Sequence, residues 1–126
     1  MSIRVGIDLV SADDIKDSLS THGEHYLRRV FSDRELADSS RGAGLDPQRL
    51  AARFAAKEAT FKVLRPGDDP LGWREVEVRR DPSGPVNLLL SGNAANLAQR
   101  AGISGLALSI THERGLAAAI VVAEID

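Results

Sequence analysis

Apolar and polar positions change period several times along the 126-residue chain. Ile3, Val5, Ile7 and Leu9 alternate with Arg4, Gly6, Asp8 and Val10, which predicts a strand with one strongly apolar face. Ser11 then opens a helix with acidic residues in its first turn. That pattern runs roughly to Thr21, Gly23 interrupts it, and a short helical piece follows in HYLRRVF. Ser32 and Glu35 have capping-box spacing, so SDRELADSS begins a further helix and RGAGLDP reads as a loop. Asp46 and Pro47 supply an N-cap and a first-turn proline for a long helix that ends near Leu64, before RPGDDPLG.

The second half changes character. WREVEVRR reads as a strand, DPSG as a turn and VNLLLSG as the antiparallel partner. NAANLAQRAG is a short amphipathic helix. LALSITH and LAAAIVVAEI are the final strands, joined by a tight connection at Glu113, Arg114 and Gly115. Their alanine-rich apolar runs suggest packing on both faces. With no repeat, low-complexity tract or linker to divide it, the chain reads as one domain over residues 1–126.

The long helix carries the first chemical question. In RFAAKEATFK, Leu50, Phe54 and Phe61 share a face, yet Lys57 and Glu58 flank that stripe. Either both side chains snorkel, with Glu58 and Lys62 as a surface pair one turn apart, or the helix lines a cleft in which a carboxylate holds a cation. Asp8 is a second unusual acid, because aspartate is depleted in strands and this one shares a face with Gly6, whose missing side chain would let a ligand approach. Alone, it also reads as a strand-end aspartate that accepts hydrogen bonds. Asp8 and Glu58 together offer oxygen ligands from two rigid elements, a set that suits Mg²⁺ completed by water and phosphate oxygens. Lys62 would then neutralise phosphate charge. His112, in SITH at the end of a late strand, is either structural or chemically active. No nucleophile elbow, P-loop or GxGxxG motif is present.

Composition narrows these options. Without cysteine, a metal site must use oxygen or histidine ligands, which favours a hard cation. A net charge of −2 argues against a general nucleic-acid binder, so any anionic partner must meet a local patch. The apolar run in MSIRVGIDLV is too short for a signal peptide and no segment reaches membrane-spanning length, so a cytoplasmic protein without membrane or nucleic-acid partners is expected.

Taken in order, GIDLV, RFAAKEATFK and LSITHERGLAAAIVVAE resemble the signature segments of the holo-acyl-carrier-protein synthase family, the short type of 4′-phosphopantetheinyl transferase. YLRRVFSDREL and GWREVEVRRDPSG extend the resemblance over nearly the whole chain. It implies an α+β fold with a small, mostly antiparallel sheet packed against the long helix. It also implies a trimer with clefts between subunits, one chain giving Asp8 and Glu58 and its neighbour His112. The implied activity is transfer of the phosphopantetheine arm of coenzyme A to a serine of an acyl carrier protein, with Mg²⁺ and release of adenosine 3′,5′-bisphosphate. By position, Asp8 and Glu58 resemble the metal-binding acids, and Lys62 the lysine beside the transferred phosphate. Lys57 belongs to the same motif as a phosphate or structural contact, and His112 resembles the histidine near coenzyme A. The general base stays open between Glu58 and a metal-bound water.

Two positions depart from the family pattern. Asp14 stands where a basic residue is usual for docking an acidic carrier helix, with Arg28, Arg29 and Arg53 as candidates for a compensating patch. Glu113 stands where a small hydroxyl residue is usual. Two other readings therefore accompany the transferase: a non-catalytic carrier-binding module of the same fold, and a metal-dependent hydrolase of coenzyme A.

Overall fold

In the computed structural model, which describes residues 1–42 and 44–126, the chain begins with β1 (Ser2–Ser11) and α1 (Ala12–Val30). Ser11 caps α1, its Oγ accepting from the backbone N of Asp13 at 3.2 Å. Gly23 breaks the helix at φ 59° and ψ −139°, a conformation open essentially to glycine alone. Helix α2 (Asp33–Asp38) starts at the expected capping box, with Glu35 N donating to Ser32 Oγ at 3.2 Å and Ser32 N to Glu35 Oε1 at 2.8 Å. The RGAGLDP loop, in which Ala43 lies outside the described residues, carries the short pair β2 (Ser40–Arg41) and β3 (Gly44–Leu45). Helix α3 (Pro47–Leu64) has Asp46 as its N-cap and Pro47 in its first turn, as the sequence predicts.

Trp73–Glu75 forms a 3₁₀ turn instead of opening the next strand, so β4 covers Val76–Arg80 only. It pairs antiparallel with β5 (Val86–Leu90), and α4 (Gly92–Arg100) follows. The last strands, β6 (Ile103–Glu113) and β7 (Leu116–Ile125), meet at Arg114 and Gly115, with φ of 51° and 77°. Positive φ at both positions is the mirror-image turn whose twist matches a hairpin. Among the described residues no helix is long and apolar enough to cross a membrane.

Every strand pairing is antiparallel, and the main sheet has the order β1-β7-β6. Helix α3 lies across one face of this sheet. Its Leu50, Ala51, Ala55, Ala59 and Val63 pack with Val10, Ala117, Ala119, Val121 and Ala123 in one buried cluster. Small side chains on both surfaces let helix and sheet come close, and Gly6 marks the limit. A Cβ at Gly6 would stand 2.0 Å from the backbone oxygen of Ala59. The space beside Asp8 that suggested room for a ligand is therefore filled by the helix itself.

The opposite face of the sheet is bare. Ile3, Ile7 and Leu9 are 60%, 61% and 64% exposed, and Val5, Leu116 and Ile120 are exposed beside them. The apolar face of β1 thus points away from α3, and β7 is covered by the chain on one face only. Within one chain the final strands are therefore packed on one face, and the packing on both faces expected from the sequence would take a further copy. Helix α3 takes the side that carries Gly6, because the other row of β1 side chains would hold it off.

Candidate functional site

Asp8 sits in the row Asp8–Ala119–Ile110 of the main sheet, on the side that faces α3. The close approach at Gly6 brings this strand onto the helical turn that carries Glu58 and Lys62. Lys62 Nζ donates to Ile7 O at 2.7 Å and stands 3.4 Å from Asp8 Oδ1. Glu58 is half-buried, and its pKa is raised by that burial, then by the charge of Asp8, with Lys62 opposing. Two carboxylates close enough to repel, on two rigid elements, form a site in want of positive charge. Both line a cleft of about 350 Å³ with Asp14, Ser18, Tyr26 and Phe54.

The oxygen-only donor set and the unfavourable charge of Glu58 fit a hard divalent cation. Among the described residues no group of three or more acidic, histidine or cysteine side chains could hold a metal. The protein would thus contribute two carboxylates and leave the other positions to water or a ligand.

His112 lies elsewhere. It lines a second, larger cleft of about 680 Å³ together with Arg41, Arg49, Arg53, Arg80 and Pro85. Arg53 is 6% exposed, its Nη1 donates to Arg49 O at 3.1 Å, and its buried Nε has no partner among the described residues. Burial lowers the Arg53 pKa, and the charges of Asp38 and Glu35 act against that shift. A buried guanidinium with an unused donor, ringed by further arginines, is suited to an anion. The β6–β7 turn is held beside this cleft, since Gln48 Nε2 donates to Leu116 O at 3.0 Å and Ala12 N to Gly115 O at 2.7 Å.

A sequence profile of the 4′-phosphopantetheinyl transferase superfamily matches residues 4–121. The chain belongs to this superfamily. It is 39% identical over 123 residues to the holo-[acyl-carrier-protein] synthase of Desulforudis audaxviator, covering 98% of this chain and 93% of that protein. To the synthase of the same name from Paramagnetospirillum magneticum it is 43% identical over 129 residues, covering 98% and 97%. Its fold is similar to the ACPS–CoA complex of Chronobacterium ammoniagenes, with a TM-score of 0.85, 34% identity and coverage of 100% and 99%.

Within this superfamily member, the site residues read from sequence divide into three groups. Asp8, Glu58 and Lys62 come together. His112 belongs to the other cleft. Lys57 belongs to neither and is fully buried. Its ammonium pairs with Glu35 Oε1 at 2.8 Å and donates to the carbonyls of Trp73 and Val76. Of the two roles weighed for Lys57, phosphate contact or structural contact, the structure supports the structural one, because no donor is left for a ligand. Arg53 is corrected too, since a buried residue of the larger cleft cannot join the exposed Arg28 and Arg29 in a docking patch. Sequence reasoning missed Arg41, Arg49 and Arg80. The one signal for them was the i, i+4 spacing of Arg49 and Arg53, which places two guanidiniums on one helical face.

Proposed function

We propose that this chain is a holo-acyl-carrier-protein synthase, transferring the 4′-phosphopantetheine arm of coenzyme A to a serine of an apo-acyl carrier protein. Adenosine 3′,5′-bisphosphate is the other product. The observation that carries this reading is the Asp8–Glu58 pair, two mutually repelling carboxylates beside an ammonium on the wall of one cleft. Asp8 and Glu58 would hold Mg²⁺, which when bound would supply positive charge to draw electrons from a diphosphate. Lys62, with its side chain 53% exposed, can reach a phosphate oxygen while remaining anchored on Ile7 O. The serine proton can pass to Glu58 or to a water in the same cleft. The nucleophile comes from the carrier, consistent with a chain that has no nucleophile elbow.

The arginine-rich cleft with His112 is the receptor for the nucleotide end of coenzyme A, and Arg53 is its buried anchor. In a single chain this cleft and the acid cleft are separate. A trimer formed over the bare face of the main sheet would cover Ile3, Ile7 and Leu9 and set the acid cleft of one copy against the arginine cleft of the next. Light scattering of the purified protein should show the trimer, and a monodisperse monomer with full activity would defeat it.

A second reading, a carrier-binding module without catalysis, is favoured by Asp14, which adds a third carboxylate to the acid cleft. Mass spectrometry of apo-carrier protein incubated with coenzyme A and Mg²⁺ separates the two. The expected result is a carrier heavier by one phosphopantetheine, with Asp8→Ala and Glu58→Ala each abolishing most of the product while circular dichroism stays unchanged. A bound but unmodified carrier would establish the module, and cleaved coenzyme A alone would establish a hydrolase.

A further inference from the structure

Arg65 closes helix α3 in the left-handed region, with φ 52° and ψ 62°, its backbone N donating to Phe61 O at 3.1 Å. Among the described residues Arg114 is the only other non-glycine residue with positive φ, and the mirror-image β6–β7 turn accounts for it. A left-handed helix cap is ordinarily glycine or asparagine. Here a long cation stands where glycine would be free of strain, and an unfavourable backbone held in place asks for a reason.

Packing does not supply one. Arg65 is exposed, and among the described residues it forms no ion pair. Complementing the negative end of the helix dipole is a weaker structural role, already served by two other cations. Arg4 Nη1 donates to Val63 O at 3.1 Å, and Lys62 lies in the last turn of the helix.

Position supplies the reason. Arg65 ends α3 three residues beyond Lys62, which borders Asp8. Phe54 and Glu58 line the acid cleft. Ile7 O and Asp8 take two of the three Lys62 donors, whereas the Arg65 guanidinium has no hydrogen-bond partner among the described residues.

We propose that Arg65 is a substrate-binding residue that grips the diphosphate of coenzyme A beside Lys62, its planar guanidinium meeting two phosphate oxygens where the lysine gives a point charge. This assignment rests on the transferase reading. The strained cap is retained because glycine would provide the fold and forfeit the ligand.

The test is Arg65→Gly in the full chain, where structural and functional roles predict opposite signs. Glycine relieves the backbone, so the unfolding midpoint should hold or rise. Coenzyme A affinity by titration calorimetry should fall about tenfold, the scale of a lost charge-assisted hydrogen bond. The KM for the carrier should stay unchanged, and Arg65→Lys should be intermediate. Dephospho-coenzyme A, which keeps the diphosphate, should lose affinity by the same factor. Unchanged coenzyme A binding in Arg65→Gly overturns the proposal, as does a loss that disappears with dephospho-coenzyme A, since the contact would then be to the 3′-phosphate. Because binding is read directly, a wild type that holds coenzyme A without transferring it counts against the transferase reading alone. A wild type that does not bind coenzyme A overturns both.

Discussion

A turn of about 100° per residue sends Lys57 and Glu58, neighbours on α3, to different surroundings. On one side the Lys57 ammonium meets Glu35 Oε1, Trp73 O and Val76 O, while the Glu35 carboxylate also accepts from the backbone N of Ser32 and, at 2.8 Å, of Val78. Every charge there has its partners, and the pair ties together α2, α3, the 3₁₀ turn and β4. On the other side Glu58 faces a second carboxylate across a cleft, with Lys62 as partial compensation. A buried charge that is fully satisfied builds the scaffold, whereas a half-buried one left facing its own sign is available for chemistry.

The sharpest way to break this contrast is Lys57→Ala, which strands Glu35 in the core. We expect a loss of about 3–5 kcal/mol, the usual cost of an uncompensated buried charge, read as a fall in the urea midpoint. If Lys57→Ala were as stable as wild type and lost only coenzyme A affinity, Lys57 would rejoin the binding site. Gly6→Ala comes next, because its new Cβ would meet the Ala59 carbonyl and must push β1 from α3. A cost of about 3 kcal/mol is expected from overpacking, and Glu58, set further from Asp8, should titrate closer to an ordinary glutamate in a carbon-detected NMR titration. An unchanged Glu58 titration would mean that the Gly6 contact does not set the spacing of the acids.

The smallest effect on stability, and the one of opposite sign, belongs to Glu58→Gln. The folded-state pKa of Glu58 is raised, so its proton stabilises the fold fully below the unfolded-state pKa, and that contribution is lost as pH rises through the folded value. In metal-free protein at neutral pH, Glu58→Gln should therefore match or slightly exceed the wild-type urea midpoint while losing transfer. Its stability should also lack the wild-type decline over that pH window. A clearly destabilised Glu58→Gln would mean that Glu58 is a structural residue like Lys57.

Local signals explain what was legible in the sequence. The Ser32–Glu35 box and the Asp46–Pro47 start act within one turn, so the starts of α2 and α3 could be read directly, as could the break at Gly23. The Asp8–Glu58–Lys62 group was legible because aspartate is unusual in a strand and Glu58 flanks the apolar stripe of α3, with Lys62 one turn on. The outward turn of the β1 apolar face was not, since alternation tells which residues share a face and not which face meets the helix. The fate of Lys57 depended on Glu35, a residue of another helix. The arginine cleft draws on the β2–β3 region, α3, β4 and β6, so no single stretch of sequence announces it.

The bare face of the β1-β7-β6 sheet has a genetic consequence. On the proposed assembly each working cleft takes its acids from one gene product and its arginines from another. Two alleles, one without Glu58 and one without a functional arginine cleft, would each be inactive alone. Expressed together they would form mixed rings, in which about a quarter of the clefts at random carry both intact halves. Growth restored by two null alleles would then reflect geometry, with no recombination between the genes. A cell carrying one such allele beside the wild type would lose clefts in proportion to dosage.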